Sequence, residues 1–165
     1  MEFRKPETGA AYLELLRLAI LGVLVLGLLG TVTELVLLEH YEEPLQFVPL
    51  VLIAAAVIVL AWHAMRRDAA ILAALQIVMW LFVLAGFVGM VAHFTGSAEY
   101  QLELNPDMPT GELVGKVLRA KAPPLLAPGM MIQLGLLGLA YAYSGEHNRA
   151  LMLRVMRGAG FGSKE

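Results

Sequence analysis

At 165 residues, 59% hydrophobic and 16% charged, with a mean hydropathy of +0.71, the chain is too apolar for a water-facing domain, which is typically about 45–50% apolar and about 25% charged. A net charge of −2 with no long basic run argues against nucleic acid as a partner. The absence of cysteine excludes disulfides, thiolate metal sites, c-type haem attachment and a cysteine nucleophile.

The apolar residues come in four blocks. A bilayer core about 30 Å thick needs roughly 20 apolar residues at about 1.5 Å of rise each. Residues 1–9 form a polar tail, and helix-like sequence begins at Ala10. The first span is expected at 18–38. A cleaved signal peptide has a shorter apolar core and a small-residue cleavage site, so this span reads as an uncleaved signal-anchor. Glu39-His40-Tyr41-Glu42-Glu43-Pro44 is an acidic turn, and its proline suits a helix start better than a helix interior.

The second span is expected at 45–64, with Pro49 in its first turns, where the missing N–H costs least. Trp62 and His63 fall at its far end and read as interface anchors. Met65-Arg66-Arg67-Asp68 is a short charged turn, so the third span, 69–93, returns antiparallel beside the second. A long connection, 94–124, follows. Within it Tyr100 to Leu104 (YQLEL) alternates like a short strand, and Asn105 to Pro109 has turn chemistry. Thr110 is placed to cap a short helix over 111–120, whose Leu113, Val114, Val117 and Leu118 share a face suited to a membrane surface or the bundle mouth. The fourth span is expected at 125–143. Beyond it, 146–157 mixes Leu151, Leu153, Val155 and Met156 with Arg149, Arg154 and Arg157, as a basic amphipathic surface helix does.

The expected fold is therefore all-α: a four-helix transmembrane bundle with an extended extracytoplasmic loop and a C-terminal amphipathic helix, in one integral membrane domain. With four spans, Arg4, Lys5, Arg17, Arg66, Arg67, Arg149, Arg154, Arg157 and Lys164 share one side, against Lys116, Arg119 and Lys121 on the other. The richer side belongs in the cytoplasm, which puts both termini inside and suits a bacterial inner membrane.

Three glycine pairs repeat at a spacing of three: Gly27 and Gly30, Gly86 and Gly89, Gly135 and Gly138. That spacing puts two small residues on one helix face, where they allow close backbone approach in lipid. LGLLG occurs in both the first and fourth spans, so these two are expected to face each other. Aligning the first span on the third brings His40-Tyr41 over His93-Phe94. The following spans then open alike, FVPLVLI against LAPGMMI. This is an echo of a two-plus-two duplication, although apolar sequences align easily.

Few residues offer chemistry. Glu34 is a carboxylate within a span, an expensive placement that seldom faces lipid. It reads as an ion or proton ligand, or as a structural contact to Thr31, Gln133 or an outer basic residue. His40 and His93 fall at similar depth at the outer ends of their spans. With Glu34 they make a candidate metal set, and as a pair a candidate for axial haem ligation. Against that set, Glu34 and His40 are six residues apart, about 120° around the helix axis. Gln76 and Gln133 read as interhelical hydrogen-bond formers, and His147 as a solvated turn residue. Met130-Met131 offer soft ligands to Cu(I), with gap-filling the simpler reading. No phosphate loop, nucleophile elbow or His-Glu-x-x-His is present, so no catalytic residue is assigned. No cofactor is expected, a metal ion or haem at the outer face excepted.

Three functional readings follow. The first is a non-catalytic accessory or scaffolding subunit of a larger membrane complex, or a homo-oligomer, with the bilayer and other membrane subunits or itself as partners. The second is a metal- or haem-binding redox protein. The third is ion- or proton-coupled transport through Glu34.

Overall fold

The computed structural model describes residues 7–66, 68–120 and 126–145. Five α-helices follow in order: α1 Glu7–Leu37, α2 Phe47–Met65, α3 Ala69–Leu104, α4 Thr110–Leu118 and α5 Leu126–Tyr143, with one 3-10 turn, Pro44–Gln46, ahead of α2. The described residues contain no strand. α1, α2, α3 and α5 are long and apolar enough to cross a membrane, and the chain is a multi-pass membrane protein. The surface helix expected at 146–157 lies outside the described residues.

Local chemistry sets the boundaries. The Gln46 side-chain oxygen accepts from the backbone N–H groups of Glu42 (2.8 Å) and Glu43 (3.2 Å), which folds the acidic turn back on the start of α2. Asp68 caps α3: its Oδ1 accepts from the Ile71 N–H at 2.9 Å, one of the donors a helix start leaves without a partner. α3 then runs unbroken for 36 residues, about 54 Å at about 1.5 Å per residue, well beyond a hydrocarbon core about 30 Å thick.

This length overturns the strand expected at Tyr100 to Leu104. Alternation over five residues is weak evidence when Ala98, Glu99, Gln101, Leu102, Glu103 and Leu104 are almost all good helix formers with no proline among them. The helix stops where Pro106 disfavours helical backbone for Asn105. The described part of the long connection is thus three further turns of α3, a tight loop, and α4. α4 starts one residue earlier than expected. Pro109 occupies the cap position and makes no side-chain bond, and Thr110 is the first helical residue. Val117 and Met108 are buried where α4 lies along the projecting part of α3, so α4 covers α3 as well as facing outward.

The bundle is uneven. α3 and α5 share the most extensive interface; α2 packs on α3, α1 packs on α5, and α1 and α2 touch only lightly. The core is apolar: Leu24 and Leu28 from α1, Ala56 from α2, Leu75, Met79 and Phe82 from α3, and Leu134 from α5 are almost fully enclosed. α1 and α2 leave most of their apolar surface open, as helices solvated by lipid do. The two helix pairs that the sequence echo matches therefore pack differently.

The glycines account for the dominant interface. A Cβ on Gly86 would sit 2.7 Å from the Pro128 carbonyl oxygen, and one on Gly135 would sit 2.7 Å from that of Met79. Gly138 lies against the Met79 thioether, and Gly89 against the Pro128 ring. In α1, Gly27 receives Leu134 of α5, so the two LGLLG helices do meet. Gly30 differs from the expectation: it is exposed, and among the described residues nothing lies within 4 Å of where its Cβ would be.

Candidate functional site

α1 ends in a turn that dictates where His40 goes. The Glu39 N–H donates to the Val36 carbonyl (3.1 Å) and the His40 N–H to the Leu35 carbonyl (2.9 Å). This is the Schellman arrangement, with Glu39 in the left-handed position at φ 51°. Glycine is usual there, because any side chain meets steric resistance costing about 1 kcal/mol. Glu39→Gly is accordingly expected to raise stability by about 0.5–1 kcal/mol, read as a higher unfolding temperature in detergent. A fall would mean that the Glu39 carboxylate makes a contribution larger than the strain it imposes.

The turn delivers His40 to α3. The imidazoles of His40 and His93 lie 6.0 Å apart between ring centres and within 15° of parallel. Two residues far apart in sequence thus meet at one end of the bundle, as the alignment of the first and third spans implies. Neither imidazole has a hydrogen-bond partner among the described residues. His93 also borders an open groove of about 420 Å³ between the projecting part of α3 and α4. Ser97, Tyr100 and Gln101 supply its polar wall, and Val117 and Ala120 its apolar one.

Glu34 does not join the histidines. It sits on the outward face of α1, exposed, in a shallow depression of about 500 Å³ formed with Leu29, Gly30, Thr33, Leu37 and Leu38. Neither Thr31 nor Gln133 bonds it, and its carboxylate has no ion-pair or hydrogen-bond partner among the described residues. Thr33 instead turns its hydroxyl back to the Leu29 carbonyl at 2.8 Å. Among the described residues no three His, Asp or Glu side chains are gathered as a full protein shell around a metal would require. The reason is rotation about the helix axis: six residues separate Glu34 from His40, and the turn at Glu39 swings His40 further towards α3.

The opposite end of the bundle holds a cluster that the sequence reading missed. His63 is buried, not displayed at an interface, and its ring stands edge-on to that of Tyr141 at 6.0 Å. The Arg17 guanidinium covers the Tyr141 ring at 4.7 Å. Trp62, its neighbour in sequence, is the residue that remains exposed. The missed signal was a side-chain match: an aromatic in α5 level with an arginine in α1 and a histidine in α2, all at the ends of their spans. Of the paired methionines, Met131 is core and Met130 is half exposed. His147 lies outside the described residues.

These features define a small four-span membrane protein with an apolar core, two histidines converging at one end and an arginine–tyrosine–histidine cluster at the other. No protein-family model matches the chain, and no curated protein or solved structure is significantly similar to it.

Proposed function

We propose that the protein is a non-catalytic accessory subunit that seats a helix of a larger membrane assembly on the outward face of α1. One observation carries this reading. Glu34 lies on an open helix face beside Gly30 and Thr33, with no partner among the described residues of its own chain. An ionisable group within a span is costly towards lipid, by about 2.5–3.5 kcal/mol at mid-helix and less near an end, and such groups are almost always covered by protein. Gly30 leaves room for a second backbone to approach, and Glu34 offers that helix an acceptor. A matching helix carries a hydrogen-bond donor at this level.

The test is purification of the tagged chain in mild detergent, followed by mass spectrometry of the intact assembly. A stoichiometric partner is expected with wild type, and loss of it with Gly30→Leu, which fills the depression. Glu34→Leu is expected to weaken the association by about 1–2 kcal/mol, and Glu34→Gln by less, because it retains an acceptor. A wild-type chain that runs alone would sink the proposal. Pairing with a second copy would redirect it to a homo-oligomer through the same face.

A further inference from the structure

We propose that Arg17 is a binding site for the phosphate group of an anionic phospholipid, at the end of the bundle opposite the histidine pair. Arg17 is half-buried, with its guanidinium carbon 4.7 Å from the centre of the Tyr141 ring. The ring attracts the charge but supplies no lone-pair acceptor for the N–H groups. Those donors have no acceptor and no ion pair among the described residues. Nε is enclosed and unbonded, and the two Nη nitrogens stay open. A guanidinium drawn out of water and left without an anion is costly, so its open edge calls for one.

The described acids at this end do not provide it. Asp68 spends its Oδ1 on the Ile71 N–H at the start of α3, and Glu14, one turn before Arg17, is exposed and makes no ion pair with it. The depth of Arg17 points to lipid. It stands where the charged start of α1 gives way to the uncharged run that begins at Leu18, the boundary between headgroups and hydrocarbon. The chain's basic residues collect at this end, and that asymmetry assigns it to the cytoplasmic leaflet, whose anionic lipids attract cations. An arginine near the end of a span ordinarily stretches its stem towards water. This one is kept against the bundle by Tyr141 and by Gly145, where a Cβ would lie 3.4 Å from Nη2. Held in that way, it loses little freedom on meeting a phosphate, whose oxygens take short charge-assisted bonds from a guanidinium. Free phosphate offers the same oxygens, but the leaflet holds them permanently at this level. The site is separate from the Glu34 face and does not depend on a protein partner.

The full chain in a neutral detergent, stripped of lipid, is titrated separately with short-chain phosphatidylglycerol, short-chain phosphatidylcholine and inorganic phosphate. Native mass spectrometry counts what stays bound, and the melting temperature reports the effect on the bundle. One phosphatidylglycerol per chain is expected, held about fivefold or more tighter than phosphatidylcholine and raising the melting temperature. Arg17→Gln is expected to lose both the preference and the rise. Arg17→Lys should keep part of each, as a point charge without the guanidinium fork. Arg119→Gln, an exposed cation at the other end, should leave both unchanged. Equal affinity of wild type for the two lipids, or a preference that survives Arg17→Gln, overturns the proposal. A rise in melting temperature saturated by inorganic phosphate at the same concentration overturns lipid as the occupant. The comparison of headgroups on wild type needs no variant, so it decides the matter even if Arg17→Gln fails to fold.

Discussion

Gly135→Leu is expected to separate α5 from α3 and to destabilise the bundle by about 3 kcal/mol or more. The argument is steric. A Cβ at this position would lie 2.7 Å from the Met79 carbonyl oxygen and 3.0 Å from the Val83 backbone nitrogen. Both are main-chain atoms of α3, held in that helix's own hydrogen bonds, so they cannot rotate aside as a side chain can. Relief requires the helices to part along the most extensive interface in the bundle. In lipid no hydrophobic force compensates, because tails solvate a separated helix about as well as a neighbour does. Close packing is the main attraction being lost. Gly135→Ala should show the same effect more weakly, at about 1 kcal/mol. Gly22→Leu, where nothing lies within 4 Å, should melt like wild type. The signature is loss of near-ultraviolet circular dichroism on heating in detergent at a lower temperature, with far-ultraviolet helicity retained. Unchanged melting of Gly135→Leu would mean that α3 and α5 do not meet at this register.

The glycine pairs illustrate how far the sequence reaches in such a protein. Spacing identifies which small residues share a helix face. It assigned Gly86, Gly89, Gly135 and Gly138 to packing, and all four lie against another helix. Spacing cannot say which way a face points, and Gly30, three residues after Gly27 in the same pattern, looks outward. The meeting of His40 with His93 was legible for a similar reason. The first and third spans run in the same direction, so the residue just past the end of α1 and a residue of α3 at the same level become neighbours, although α3 continues beyond it. Glu34 was harder, because a lone carboxylate carries no periodic signal to reveal its side of the helix. The burial of His63 was hidden by its neighbour: beside an interfacial tryptophan it reads as an anchor, yet adjacent helix positions point about 100° apart and only Trp62 faces out. The helical course of Tyr100 to Leu104 was lost to a five-residue alternation that propensity outweighs.

The bundle's asymmetry connects these particulars. α3 and α5 form a tight pair at glycine distance, and α1 and α2 are applied to its flanks, each with a broad apolar face left open. α1 is then held mainly at three levels: Gly27 against Leu134 in the middle, His40 beside His93 at one end, and Arg17 over Tyr141 at the other. A helix fixed at intervals along one side presents its remaining exposed face in a defined register. That register is what the proposed seat at Gly30 and Glu34 requires.

Tyr141→Ala is expected to cost about 3 kcal/mol or more, the usual range for removing a buried aromatic ring. Three helices meet through Tyr141 of α5 at its end of the bundle: Arg17 of α1 lies over its face and His63 of α2 meets it edge-on. Deleting the ring leaves a cavity beneath the guanidinium, whose Nε is buried without a hydrogen-bond partner among the described residues. The loss has two parts, separable by substitution. Tyr141→Phe keeps the ring and should change stability by about 1 kcal/mol or less, since only a hydroxyl is removed. Tyr141→Leu fills much of the volume but removes the quadrupole that attracts the cation, and should forfeit about 1–2 kcal/mol of a partly desolvated cation–π contact beyond any packing defect. A cycle combining Tyr141→Leu with Arg17→Met isolates that term. Coupling near zero would mean that Arg17 only covers the ring. Substantial coupling would identify the contact as the fastening of α1 to α5 at this end, and the double variant should then also weaken whatever association the outward face of α1 supports.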